Sequence, residues 1–229
     1  MILTSQLLGR TAGSVAQPAK LSVRGTADVD WFFAPHMYGN PFQDILAERL
    51  GEYAIQAKGL RTLAEVLPAV RQSRAAHKVV HLHWLNVVLA GADSAAAERK
   101  RVAGFAEQLR ELKAAGAKLV WSVHNVLPHE GYSEAAAVEV RKLMVEAADA
   151  IHIMSPDTVD MCAAKFEIPA EKVLRIEHPG YHGYYPEVAQ PAALRAAWGM
   201  PAGGALAVIL GGIKPYKGLN QFTEQFASA

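Results

Sequence analysis

The chain is short of cysteine, of long apolar runs and of net charge, and each shortage closes off a class of protein. Cys162 is the only cysteine, so no internal disulfide forms and a disulfide-stapled secreted module is excluded. A reducing cytoplasm suits such a chain. No apolar run approaches the roughly 20 residues of a bilayer-spanning helix, and the amino terminus lacks the apolar stretch of a secretory signal. A soluble cytoplasmic protein is expected, with peripheral contact at the inner membrane face left open. Lys and Arg number 23 against 22 Asp and Glu, a net charge of +1, so no global field draws the chain to nucleic acid. The glycines nowhere fall into Gly-x-Gly-x-x-Gly, which argues against NAD, and the Gly-Lys-Ser/Thr order of a P-loop is missing too.

Local charge is less even. Residues 1–24 hold Arg10, Lys20 and Arg24 and no acid, and Lys58 to Lys78 holds Arg61, Arg71 and Arg74 against Glu65 alone. Such a stretch suits a solvated helix face better than a phosphate-binding patch. Residues 1–27 show no periodicity and read as a poorly packed leader.

From there, short apolar runs alternate with helical patterns. Strands are expected at Val29–Ala34, Lys78–Trp84, Lys118–Val123, Ala150–Met154 and Lys172–Glu177, with a shorter one within Tyr53–Lys58. Asn40 before Pro41 marks a capped helix start. Thr62 opens a second helix that Pro68 bends or shortens. Ala95–Ala115 is a long helix ended by Gly116; Ser133 caps a helix to Ala147, and Ser155-Pro156 opens another. This alternation predicts an α/β domain with a parallel sheet covered by helices on both faces. The rhythm changes near Pro179, with an aromatic, glycine-rich connector, a short helix over Pro191–Trp198, a buried strand over Ala205–Leu210 and a helix from Leu219. That pattern reads as the first βα unit of a second domain. The predicted organisation is therefore 1–27 leader, 28–190 first domain, and 191–229 connector plus the opening of a truncated second domain, since about 30 residues cannot bury a core. An apolar strand without the rest of its sheet would invite self-association.

The chemistry-bearing residues gather where strands run into loops. Val120-Trp-Ser-Val-His-Asn125 leads into Pro128-His-Glu130, placing His124, Asn125, His129 and Glu130 at one strand end. Ligand sites of parallel sheets form at such ends. An imidazole at His124 can orient a hydroxyl or stabilise developing charge near neutral pH. His81 and His83, two apart, leave the same face of a strand; the spacing suits a metal and equally suits two polar residues packed beneath a loop. His36 and Asn40 lie between the first strand and its helix, where helix-start N–H groups can face an anion; for Asn40 a plain helix cap is the competing role. Gly211 to Gly218 is a glycine-bearing turn with Lys214 and Lys217, two ammonium groups that suit a diphosphate.

In chain order, Asn40-Pro-Phe-Gln43, His81-Leu-His-Trp84, Val120-Trp-Ser-Val-His-Asn125 with Pro128-His-Glu130, Ala148-Asp-Ala-Ile-His-Ile-Met-Ser155 and Gly211-Gly-Ile-Lys-Pro-Tyr-Lys-Gly218 together resemble the family-4-like glycosyltransferases of GT-B fold, over about residues 28–229. The resemblance implies a Rossmann-like first domain that holds the acceptor, a glycan or glycolipid, and a second domain that holds a nucleotide sugar. It implies retaining transfer in bacterial polysaccharide or glycolipid assembly, without a metal or other cofactor. By position, His124 would sit near the donor sugar, and Lys217 would contact its diphosphate. Gly212 stands where the family often has an arginine, so Lys214 is the candidate to compensate. The family's later donor-binding glutamates would fall beyond residue 229, which leaves this chain alone expected to be inactive. Two other readings stand beside it: a metal-dependent hydrolase using the histidines, and a non-catalytic Rossmann-like binding module.

Overall fold

The computed structural model describes residues 28–128, 131–185, 191–201, 203 and 218–227. The chain divides into two compact units, Met1–Tyr181 and His182–Ala229. The expected leader, His129 and Glu130, the strand Ala205–Leu210 and the turn with Lys214 and Lys217 lie outside the described residues.

The first unit runs β1 (Val29–Ala34), α1 (Pro41–Glu52), β2 (Gln56–Gly59), α2 (Val66–Gln72), β3 (His77–Leu82), α3 (Ala95–Ala114), β4 (Ala117–Ser122), α4 (Glu134–Ala147), β5 (Ala150–Ile153), α5 (Thr158–Ala163) and β6 (Val173–Arg175). All six strands join one sheet in the order β2-β1-β3-β4-β5-β6, and every pair is parallel. This is the doubly wound, Rossmann-like α/β architecture expected from the alternation. The sheet is open, with β2 and β6 at its edges. The second unit contains α6 (Pro191–Ala197) and α7 (Leu219–Ala227) among its described residues.

Side chains alternate across a strand, and the two faces differ in kind. Phe32, Ala34, Val80, Leu82, Leu119, Trp121, Ile151 and Ile153 pack with Val66 and Val70 of α2, Phe105, Leu109 and Leu112 of α3, and Val140 and Met144 of α4 in one buried cluster. Full burial of each large apolar side chain contributes about 1.5–3 kcal/mol, so this face carries most of the stability. On the other face Phe33 packs with Ala47 of α1 and Ala57 of β2, but the neighbouring positions are His81, His83, Ser122 and His152, all buried. A layer of imidazoles there replaces the usual aliphatic one.

The helix starts follow their caps. Asn40 Oδ1 accepts the Phe42 N–H at 3.1 Å, with Pro41 in the first position. Ser94 and Ser133 cap α3 and α4 by accepting from Ala97 and Ala136. Gly116, at φ 80°, takes the left-handed turn that ends α3. Two expected starts are corrected. The second helix opens as a 3-10 turn over Leu63–Glu65 before α2 begins at Val66. Pro68 falls in the first turn of α2, where no N–H is needed. Ser155-Pro156 forms a turn rather than a helix start: the Thr158 N–H reaches Ser155 O at 3.2 Å and α5 begins at Thr158 after Asp157.

The connection from β1 through α1 places β2 on one side, and β3 returns to the other side of β1. The switch point therefore lies between β1 and β3, where crevices of doubly wound sheets open at the carboxyl ends of the strands. No helix among the described residues is long and apolar enough to cross a membrane.

Candidate active site

His83 follows the last residue of β3 and His124 lies two residues past β4. The strands are neighbours, so both imidazoles reach the same rim, and His83 Nδ1 stands 3.0 Å from His124 Nε2. The aromatic frame fixes them. The Trp84 ring stacks on His124 at 4.4 Å between centroids with 19° between planes. Phe42, on the first turn of α1, meets His124 edge-on at 5.1 Å and touches His178 at 5.1 Å.

Burial sets the charge state. The His124 pKa falls to about 4, first from loss of solvent and then from the neighbouring His152 and His178. His81 and His83 are held well below the usual imidazole range, first by burial and then by neighbouring imidazoles: His152 and His124 for His81, and His81 foremost for His83. His152 is lowered as well, chiefly by burial, against the raising effect of its bond to Ile176 O. These four rings are therefore neutral at pH 7, each with one N–H and one bare nitrogen.

Their hydrogen bonds then fix the tautomers. His152 Nε2 lies 2.9 Å from the Ile176 carbonyl, so it donates there and Nδ1 is bare. Ser122 Oγ donates to that Nδ1 at 2.8 Å and accepts from His81 Nε2 at 2.8 Å. His81 Nδ1 is left bare and without a partner. His83 Nε2 is likewise buried and unpaired. An orphaned buried N–H is rarer than an under-used acceptor, so His83 carries its proton on Nδ1 and donates to His124 Nε2. Neutral His124 then carries its proton on Nδ1, which has no partner among the described residues. The arrangement presents an uncharged N–H donor at the rim, held from behind by a buried imidazole. His124 also lines a cavity of about 370 Å³ with Asn125, Leu127, Thr158 and Met161.

The other candidates are placed differently. Asn125 is exposed beside His124 and lines the same cavity. His36 is buried, its Nε2 3.1 Å from Asp44 Oδ1 and its ring against Tyr38; in this position it braces the β1–α1 loop. Asn40 Oδ1 accepts both the Phe42 N–H and, at 3.0 Å, the Tyr181 hydroxyl, so its carbonyl is spent on capping and on tying down the connector. His81 and His83 do share a face, with ring centroids 4.3 Å apart, but they bond to Ser122 and His124 respectively. No group of three or more His, Cys, Asp or Glu among the described residues is arranged to hold a metal ion.

Three contributors stand inside the motifs without a role read from the sequence: Ser122, which joins two histidines, and the framing rings of Phe42 and Trp84; His152 belongs to the histidines of the hydrolase reading. Ser122 sits two residues before His124, and that period of two was the available signal. The chain does contain an Asp-x-Asp sequence, Asp28-Val-Asp30. It lies at the amino end of β1, opposite the rim. Asp30 Oδ2 accepts from Ser73 Oγ at 2.6 Å and Lys58 Nζ at 3.2 Å, and Asp28 Oδ1 accepts from the Ala76 N–H at 2.8 Å. These carboxylates tie loops together.

Fold and rim together define an open parallel α/β protein with a neutral histidine pair at the carboxyl end of its sheet. No protein-family model matches the chain, and no curated protein matches it. Among solved structures it is similar to Anabaena Alr3699/HepE, determined in complex with UDP and glucose, at 14% identity and a TM-score of 0.43. The match covers 75% of this chain and 50% of that one, so the chain spans half the length of that structure.

Proposed function

We propose that the first unit is the acceptor-binding half of a glycosyltransferase. The whole protein would move a sugar from a nucleotide-sugar donor to a glycan or glycolipid acceptor, with retention and without a metal, on the cytoplasmic side of a membrane. The observation that carries the reading is the His83–His124 pair at the rim, supported by the ordered set of motifs around it. Sugar transfer builds charge on oxygens as the leaving diphosphate departs, and preorganised donors aimed at such oxygens lower the barrier. The His124 Nδ1–H is such a donor: neutral, partly desolvated and fixed in tautomer by His83. Asn125 beside it can accept from or donate to a sugar hydroxyl. In this proposal His129 and Glu130 belong to the acceptor side, and Lys214 and Lys217 neutralise the donor diphosphate.

The test is transfer of labelled sugar from a nucleotide sugar by a protein carrying both domains. His124→Ala lowers turnover by about 100-fold, near 2.7 kcal/mol on the barrier, while the circular dichroism spectrum is unchanged. A rate within about threefold of the unaltered protein, under 0.7 kcal/mol, removes His124 from the chemistry.

A further inference from the structure

A second crevice opens at the carboxyl rim on the other face of the sheet, at the switch point between β1 and β3. It encloses about 450 Å³ and is lined by Pro35 after β1, Arg61, Thr62 and Leu63 after β2, Val87 and Val88 after β3, and Arg101, Phe105 and Gln108 of α3. Its floor is apolar, since Val88 and Phe105 are buried core residues and Leu63 packs against them. Its polar wall carries two guanidinium groups on separate elements.

Both arginines are oriented without being neutralised. The Arg61 guanidinium lies 4.9 Å from the Tyr38 ring centroid, a stacking contact that leaves the N–H donors at its edge available. Arg101 Nη2 stands 3.4 Å from where a Cβ on Gly91 would lie, so its head group rests against the turn that follows β3. Among the described residues neither guanidinium has a carboxylate within 4.0 Å. Glu65, in the turn that also carries Arg61 and Thr62, is engaged locally: its Oε1 accepts from Thr62 Oγ1 at 2.9 Å and its Oε2 from the Arg61 N–H at 3.3 Å.

We infer that this crevice binds an organic phosphate whose apolar body rests on Leu63, Val88 and Phe105 while Arg61 and Arg101 hold the phosphate. Two fork-shaped monocations match a dianion with three acceptor oxygens better than a singly charged carboxylate. An apolar floor beside the cations selects a phosphate ester over free phosphate. The site is separate from the histidine rim, and the inference stands apart from the transferase reading.

The experiment titrates the 229-residue chain with phenyl phosphate, followed by amide chemical shifts. Saturable binding in about the millimolar range is expected, with shifts at Leu63, Val88 and Phe105. Arg61→Gln and Arg101→Gln each weaken it at least about fivefold, and the double variant about 25-fold if the sites act independently. Both arginines are exposed, so the variants keep the fold. Benzyl alcohol and inorganic phosphate bind at least about tenfold more weakly than phenyl phosphate, which corresponds to 1.4 kcal/mol. Absence of saturable binding, affinity unchanged in the double variant, or inorganic phosphate binding as tightly as the ester would each overturn the assignment.

Discussion

Ser122 is the residue on which the buried polar layer turns. Its hydroxyl is the acceptor for His81 and the donor to His152. Ser122→Ala leaves a buried N–H on one ring and a buried bare nitrogen on the other, and each unsatisfied group costs about 1–3 kcal/mol. Urea unfolding of the variant is expected to show a loss in that range or above it. A loss below about 0.5 kcal/mol, the size of an ordinary surface change, would mean that water or a rearranged ring satisfies both groups. His83→Leu comes closer to the side-chain volume and removes the bond to His124, so in the proposed two-domain transferase it is expected to lower transfer while changing the fold little. Equal turnover for this variant and the unaltered protein would show that His83 does not orient His124. At this scale the sequence was informative about which residues collect at strand ends and silent about their partners. Period-two spacing placed His81 and His83 on one strand face, and the passage from an apolar run into a polar loop placed His124 at a strand end. That His83 bonds His124 while His81 bonds Ser122 depends on the register between β3 and β4, which pairs His81 with Val120.

Elements were legible where a local cap or a strong period specifies them. Asn40-Pro41, Ser133 and Gly116 each mark an end by chemistry that acts within a few residues, and α1, α3 and α4 start or stop there. Legibility fails where two local signals compete. Ser155-Pro156 resembles a helix start, but the Ser155 hydroxyl accepts from the Asp157 N–H at 3.3 Å and spends itself on a turn. Strand β6 shrinks to three residues because it pairs only with β5 at the sheet edge, a tertiary fact. Gly59 closes β2 for a steric reason. A Cβ there would stand 2.6 Å from His36 Cγ, and that ring is held by Asp44 and Tyr38. Gly59→Ala is expected to destabilise by about 1–3 kcal/mol, the usual cost of overpacking, and to loosen the β1–α1 loop. Thermal unfolding checks the first effect and hydrogen exchange at the Met37 N–H, which donates to Gln43 Oε1 at 2.8 Å, checks the second. A stabilising or neutral alanine would show that His36 moves freely.

The whole molecule answers to pH through its histidine layer. Free imidazole titrates near 6.5, and His81, His83, His124 and His152 are all depressed in the folded state. The unfolded chain therefore binds more protons as pH falls below about 6.5, and stability declines from there down through the folded pKa values. The contribution is complete above about pH 6.5 and is lost on the acid side. Denaturant midpoints are expected to fall between about pH 7.5 and pH 5 with a proton dependence steeper than one group gives; a flat profile would show that the rings charge without penalty. Sheet order was not readable from the sequence, because the switch between β1 and β3 arises from which side each crossover takes. Yet that order brings His83 beside His124 and opens the arginine crevice on the opposite face. The proposed chemistry depends on His124 being a neutral Nδ1–H donor at the rim. Nitrogen-15 resonances of the histidine rings, followed through a pH titration of the chain, test it most directly. A proton on His124 Nδ1 at pH 7 and a midpoint at about 4 are expected; a midpoint near 6.5, or a proton on Nε2, would rule out the neutral Nδ1–H donor.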